Sequence, residues 1–291
     1  MEYNMLEPAP WSLPDEEDRQ VAELIRVIGE TWASLRSAPH GIPILPAVRE
    51  AVEKLRQHVR QPYSPEQVRQ VLEHGDVSRL HAGLLAKLAA AEGGMELSDA
   101  LELGGRPRLK LADLGELISW KVYETLVGQE MELLEGLRPE PGLPIAFVGS
   151  GPLPLSALLL HLRLGCPVTC VDSDPEACDA SRRLIGRLGL EEGIRVVREE
   201  GAFFDYAPYS AVFVASLVTG KAGVLGRIRS TRPDAVLAVR TAEGMRRLMY
   251  ESVDEAALAA GGWVLLGRTH PAERVVINST LFCRNSACRQ V

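Results

Sequence analysis

Aromatic residues make up only 5% of this 291-residue chain, and its cysteines number five. So few rings leave little for stacking on bases, and a formal net charge of −7 supplies no basic stripe to neutralise phosphates. A nucleic-acid partner is therefore not expected. Cys166, Cys170, Cys178, Cys283 and Cys288 fit no C-x-x-C metal ribbon, and an odd number closes no tidy set of disulfides. They are read as reduced thiols of a cytoplasmic protein, with no metal site. No apolar run is long enough to cross a bilayer; the longest, Leu153 to Leu164, is interrupted by Pro154, His161 and Arg163. The stretch from Met1 to Gln20 is acidic and lacks an apolar centre, unlike a signal peptide. Neither a membrane nor a nucleic acid is an expected partner, which leaves a small molecule.

What is present is an ordinary globular composition, 46% hydrophobic and 24% charged, with length enough for two domains. The first half reads as helices. Val21, Leu24, Ile25, Ile28, Trp32 and Leu35 recur at helical spacing, with Ser12 or Asp15 as the cap. Pro39, Gly41, Pro43 and Pro46 end that helix in a turn, and Val48, Val52, Leu55 and Val59 face inward from the next. Ser64-Pro65-Glu66-Gln67 has the form of a capping box and opens a helix to about His74. Leu80 to Glu96 continues a further helix. After a break near Gly104 to Pro107, a long helix is expected over 111–137. No strand signal precedes residue 144, so residues 1–138 form a helical domain and Arg138-Pro139-Glu140-Pro141-Gly142 a linker.

Residues 139–291 read differently. Strand candidates come at Ile145–Val148, Val168–Val171, Ile194–Val197, Ala211–Ala215, Ala235–Val239, Trp263–Leu266 and Val275–Phe282, with helical patterns between the first five. That alternation predicts an α/β fold: a Rossmann-like, doubly wound parallel sheet, closed by an antiparallel hairpin of the last two strands. The first strand runs into Gly149-Ser150-Gly151-Pro152-Leu153-Pro154 and then at once into a helix, the form of a nucleotide-binding loop. The two prolines remove N–H donors that a diphosphate would use at that helix N-terminus. The loop thus suits S-adenosylmethionine (SAM), a nucleoside with an amino-acid tail, better than NAD or FAD.

The candidate contacts follow from this frame. Asp172 ends the second strand, where a carboxylate can take both ribose hydroxyls, with Ser173 beside it; Asp174, before Pro175, reads equally well as a helix cap. Gly201 and Ala202 stand at the adenine edge, and Ala215, Ser216 and Leu217 line the reacting end of the cleft. Lys221 and Arg240 are either surface cations or clamps for substrate carboxylates. Glu92 and Glu96 share one helical face, by spacing alone two solvated acids, and Tyr123 alone is a core or boundary aromatic. Gly93 and Gly94 between the acids are unusual, since each weakens the helix by about 1 kcal/mol relative to alanine.

Phe147-Val148-Gly149-Ser150-Gly151-Pro152-Leu153-Pro154-Leu155 resembles the FVGSGPLPL stretch of nicotianamine synthases and their bacterial opine-metallophore relatives. Val212 to Val218 is similar to that family's VFLAALV, and Arg240 to Arg246 to its RSAxGxR. Ala91 to Glu96 resembles AEGLLE, while Tyr123, Leu126 and Glu130 match NYxxLxxxE. Trp120 stands where a tyrosine is usual, Thr241 replaces serine, and Phe147 stands where the methyltransferase loop pattern has an acid.

The resemblance implies a transferase that moves the 3-amino-3-carboxypropyl (aminobutyrate) arm of SAM onto an amine and releases 5′-methylthioadenosine. It implies Glu96 and Tyr123 as reaction-chamber residues, with Glu92, Lys221 and Arg240 toward the substrates and the helical domain as a cap. By analogy with compact bacterial members the acceptor is the α-amino group of histidine, in a staphylopine- or pseudopaline-like pathway. A homodimer and a downstream opine dehydrogenase are the protein partners it suggests. A small-molecule SAM methyltransferase is the second reading, and a non-catalytic SAM-binding module the third.

Overall fold

The computed structural model of the chain describes residues 16–38, 45–137, 142, 144–271 and 279–288. Among the described residues six helices come first: α1 (Glu16–Ser37), α2 (Pro46–Val59), α3 (Pro65–Glu73), α4 (Gly75–Gly105), α5 (Leu111–Leu114) and α6 (Ile118–Leu137). α1 buries Val21, Leu24, Ile28 and Leu35 as the spacing predicts, joined by Val27 and Thr31, while Ile25 and Trp32 are partly covered at the edge. Ser12, Asp15, Pro39, Gly41 and Pro43 lie outside the described residues. Pro46 is not part of the turn; it is the first residue of α2, where its missing N–H is no loss. The capping box of α3 is complete: Gln67 N–H donates to Ser64 Oγ at 3.2 Å, and Ser64 N–H donates to Gln67 Oε1 at 2.8 Å.

The single helix expected over 111–137 is two, α5 and α6, separated at 115–117. α4 is longer than expected, at 31 residues, or about 45 Å. Its first part, through Ala91, packs into the core of α1, α2 and α3, whereas Ala100 and Leu103 belong to a core shared with the sheet. Residues 92–99, carrying Glu92 and Glu96, therefore lie at the seam of two cores.

The remaining elements are β1 (Ile145–Val148), α7 (Leu155–Leu164), β2 (Val168–Asp172), α8 (Pro175–Leu188), β3 (Ile194–Arg198), β4 (Ala211–Val214), α9 (Lys221–Thr231), β5 (Val236–Thr241), α10 (Glu255–Ala260), β6 (Trp263–Arg268) and β7 (Ser279–Asn285). They form one doubly wound sheet in the order β3-β2-β1-β4-β5-β7-β6. The first five are parallel, and β7 is antiparallel to both β5 and β6. Residues 275–278 of the expected last strand, and 138–141 of the linker, lie outside the described residues.

Strand side chains alternate between faces with period two. Ile145, Phe147, Ala211, Phe213 and Ala238 join the core under α4, α6, α7 and α8; Ala146, Val148, Val212, Val214 and Val239 join the one under α9 and α10. Both faces are covered, which is why these strands read as unbroken apolar runs. α10 and a 3-10 turn at Gly244–Leu248 were not foreseen, being too short to show a period. Among the described residues no helix is long and apolar enough to cross a membrane.

Candidate active site

β1 lies between β2 and β4, so the connections leaving β1 and β4 diverge and open a crevice at the strands' carboxyl ends. The loop after β1 fills it. Gly149 and Gly151 have φ of +74° and +67°, the left-handed region that glycine enters without strain. Gly149 is also required sterically, since a Cβ there would overlap the Val218 side chain on the loop after β4. Gly151 N–H donates to Asp172 Oδ2 at 2.8 Å, and Asp174 N–H donates to Asp172 Oδ1 at 3.0 Å. Asp172 is thus locked at the crevice edge, each oxygen retaining a lone pair. Asp174 is the cap of α8, accepting from Glu176 and Ala177 N–H. Ser150, Pro152 and Leu153 are buried and Ser173 is exposed.

With Gly151 N–H given to Asp172, Gly149 N–H to Val171 O and Leu155 N–H to Leu153 O, few backbone donors point outward. Such a loop fits a nucleoside held through its ribose and not a diphosphate.

Gly201 and Ala202 are partly exposed after β3. A Cβ on Gly201 would come within 2.6 Å of Val148, and its carbonyl accepts from the Tyr206 hydroxyl at 2.8 Å. Phe203 beside them is 68% exposed, an aromatic face that sequence reading passed over. Ala215 and Ser216 are buried and Leu217 partly so. Lys221 is no surface cation. It is buried and folds back so that Nζ donates to Ser216 O at 2.8 Å and Val218 O at 2.9 Å, stapling this loop. Burial lowers its affinity for a proton.

Glu96 and Tyr123 meet: the phenol donates to Glu96 Oε1 at 2.9 Å. Glu96 Oε2 lies against the glycine loop, 2.9 Å from where a Cβ on Gly151 would stand. Burial pushes the Glu96 carboxyl up to about 7; the Tyr123 hydrogen bond opposes this, and the charges of Glu92, Asp99 and Asp172 add to it. The Tyr123 hydroxyl is held well above its ordinary value, chiefly by the Glu96 charge and then by burial.

Glu92 is not a solvated acid either. Its Oε1 lies 2.8 Å from Arg56 Nη2, and the Tyr250 hydroxyl donates to its Oε2 at 2.9 Å. A Cβ on Gly93 next to it would meet nothing within 4 Å among the described residues. Arg240 is buried too. Its Nε and Nη2 fork onto Glu130 at 2.9 and 3.0 Å, Nη2 also donates to Ser156 Oγ, and the guanidinium lies 5.1 Å over the Phe147 ring. Thr280, the cross-strand neighbour of Arg240, donates to Glu130 Oε1 at 2.6 Å. Two of the sequence motifs, the one with Glu130 and the one with Arg240, thus pair with each other. Tyr250, Arg56, Ser156 and Thr280 carried no signal in the sequence.

Comparison with known proteins adds to this geometry. A family described as "Nicotianamine synthase protein" matches residues 45–290. "Nicotianamine synthase 3" of Oryza sativa subsp. indica is 31% identical over 292 residues, covering 94% of this chain and 82% of its own length. "Probable nicotianamine synthase 2" of Hordeum vulgare is 32% identical over 232 residues, covering 72% of this chain and 66% of its own length. The chain therefore spans slightly less than two thirds of that barley relative. The crystal structure of MtNAS in complex with MTA and tNA superposes with a TM-score of 0.77 at 20% identity, covering 91% of this chain and 97% of that one. A Glu-to-Gln variant of MtNAS in complex with S-adenosylmethionine gives 0.73 at 20% identity, with 94% and 99% covered. At that identity the superpositions establish a shared fold.

Proposed function

The chain belongs to the nicotianamine synthase family, and from that premise we propose that it is a SAM-dependent 3-amino-3-carboxypropyl transferase. The observation that carries the reading is the Glu96–Tyr123 pair pressed against the glycine loop at Gly151. MtNAS has been solved with SAM and with MTA, and the same donor and by-product are proposed here. SAM supplies a sulfonium, which makes the adjacent methylene of its amino-acid arm open to displacement.

In this proposal Asp172 takes the ribose hydroxyls on its free lone pairs, and the 215–217 segment lines the donor's sulfur end. An acceptor α-ammonium must lose a proton before its nitrogen can attack. Glu96, with a proton affinity placed near neutrality, accepts that proton at Oε1 or Oε2, and Tyr123 orients the nitrogen. The new N–C bond forms as the C–S bond breaks, and the electron pair stays on sulfur in methylthioadenosine. Charge is lost from the sulfonium, so a site shielded by residues 1–138 as a cap over 139–291 favours the transition state.

The acceptor we assign is the α-amino group of histidine, on the likeness to the opine-metallophore branch; a homodimer and a downstream opine dehydrogenase belong to the same proposal. Glu92 stands one turn from Glu96, toward the acceptor, and Arg240 stands behind Tyr123. The test is product identity: incubation with SAM and histidine should yield methylthioadenosine and a histidine adduct heavier by the aminobutyrate arm. S-adenosylhomocysteine alone would establish a methyltransferase instead, and SAM binding without turnover of any amine a binding module.

A further inference from the structure

β5 ends at the cleft, and the chain after it leaves the sheet. Met245, Leu248, Met249 and Tyr250 are buried in the core of α1, α2 and α4. The excursion closes where Val253 N–H donates to Thr241 Oγ1 at 2.8 Å. One continuous stretch, Arg240 to Tyr250, therefore touches both helices that carry the acid–phenol pair. Each of its ends does so through a buried polar contact. Arg240 forks onto Glu130 of α6, seven residues and two turns from Tyr123 on the same helical face. Tyr250 donates to Glu92 of α4, four residues and one turn from Glu96.

Apolar packing alone would let α4 and α6 slide against the sheet by small amounts. A forked guanidinium–carboxylate pair fixes direction as well as distance. Thr280 and Ser156 fix the Arg240 end further, and Arg56 braces Glu92 alongside Tyr250. The two helices are thereby held from a common ruler, the end of β5 and the turn beyond it.

We propose that Arg240 and Tyr250 are positioning residues for the transfer: through Glu130 and Glu92 they set the span between Tyr123 and Glu96 and the place of both beside the glycine loop. The inference rests on the transferase reading and goes beyond it. Neither residue needs to touch a substrate to do this, and neither is interchangeable with a group that supplies charge or bulk alone.

The experiment compares wild type, Tyr250→Phe and Arg240→Lys for melting temperature, SAM affinity by calorimetry, and kcat and KM for the acceptor by methylthioadenosine release. Tyr250→Phe removes one oxygen, so the protein should stay folded and hold SAM within about 2-fold of wild type. Its kcat should fall about 10-fold or more, since misplacing reacting groups by about 1 Å can cost ~100-fold. Arg240→Lys keeps the charge and loses the fork, and should not restore kcat. A folded Tyr250→Phe with wild-type kcat would overturn the inference while leaving the transferase reading intact, and so would full activity of Arg240→Lys. Should Arg240→Lys not fold, Tyr250→Phe decides alone. Wild type that releases no methylthioadenosine would overturn both.

Discussion

Glu96 Oε2 stands 2.9 Å from the position a Cβ on Gly151 would occupy, so a carboxylate from α4 is packed directly on the loop after β1. The helical half and the sheet half meet at the atoms proposed to do the chemistry. Among the described residues, its chain neighbours aside, Glu96 is the only one with an atom within 4 Å of that Cβ position.

Gly151→Ala is expected to act twice. The left-handed backbone at φ +67° costs an alanine about 1–2 kcal/mol, and the new methyl displaces the Glu96 carboxylate. Gly165→Ala is the control, with φ +65° and nothing among the described residues within 4 Å of the added carbon. Both variants should melt lower by similar amounts, and Gly151→Ala alone should lose turnover. Equal turnover in the two would remove the Glu96–Gly151 contact from the mechanism.

Glu96→Gln should stabilise the protein above neutral pH. The folded carboxyl titrates at about 7 against an ordinary 4.5, so between those values the folded state holds a proton that the unfolded chain has released. Wild-type stability falls across that window and stays lowered above it. At about 1.4 kcal/mol per pH unit, the glutamine variant should gain roughly 1–3 kcal/mol over wild type at pH 8 and almost nothing at pH 4. Denaturant melts at both pH values read this directly. Turnover of the same variant, and of Tyr123→Phe, should drop far more than SAM affinity.

The pH profile carries a second sign. If Glu96 accepts the proton, kcat/KM should rise with pH through about 7. Tyr123 from α6, Glu92 and Asp99 from α4, Asp172 from β2 and Arg240 from β5 are the charged or titratable groups around it. Asp99→Asn removes a repelling charge and frees Arg49, its ion-pair partner at 3.5 Å. Losing that repulsion favours the ionised carboxylate, so the acid limb should move to lower pH. A limb that stays in place would assign it to another group.

Asp172→Ala should weaken SAM by about 10- to 100-fold, the loss of one or two hydrogen bonds to a charged group. The acceptor KM should hardly change. Calorimetric titration with SAM measures this, and an unchanged dissociation constant would rule out the ribose assignment.

Much of this was legible in the sequence because the signals are local. The capping box at Ser64, the cap at Asp174 and the two glycines after β1 each depend on residues a few positions apart, and each stands in the fold as read. The doubly wound parallel sheet and its antiparallel closing hairpin followed from apolar runs alternating with helices, whereas the order of the strands did not. What could not be read was pairing across the chain. Arg240 and Lys221 looked like cations for solvent or substrate, yet one is paired with Glu130 and the other donates to backbone carbonyls with Glu251 at 4.0 Å. Glu92 looked solvated because nothing near it in sequence announces Tyr250 or Arg56. The break between α5 and α6 has no proline to mark it.

The most direct measurement follows carbon from donor to acceptor. SAM labelled with ¹³C in its methyl group, and separately in the methylene next to sulfur, is incubated with histidine and the protein, and the products are weighed. Label from the methylene should appear in the histidine adduct, while label from the methyl remains in methylthioadenosine. A methyl label found on the acceptor would contradict the account at its centre.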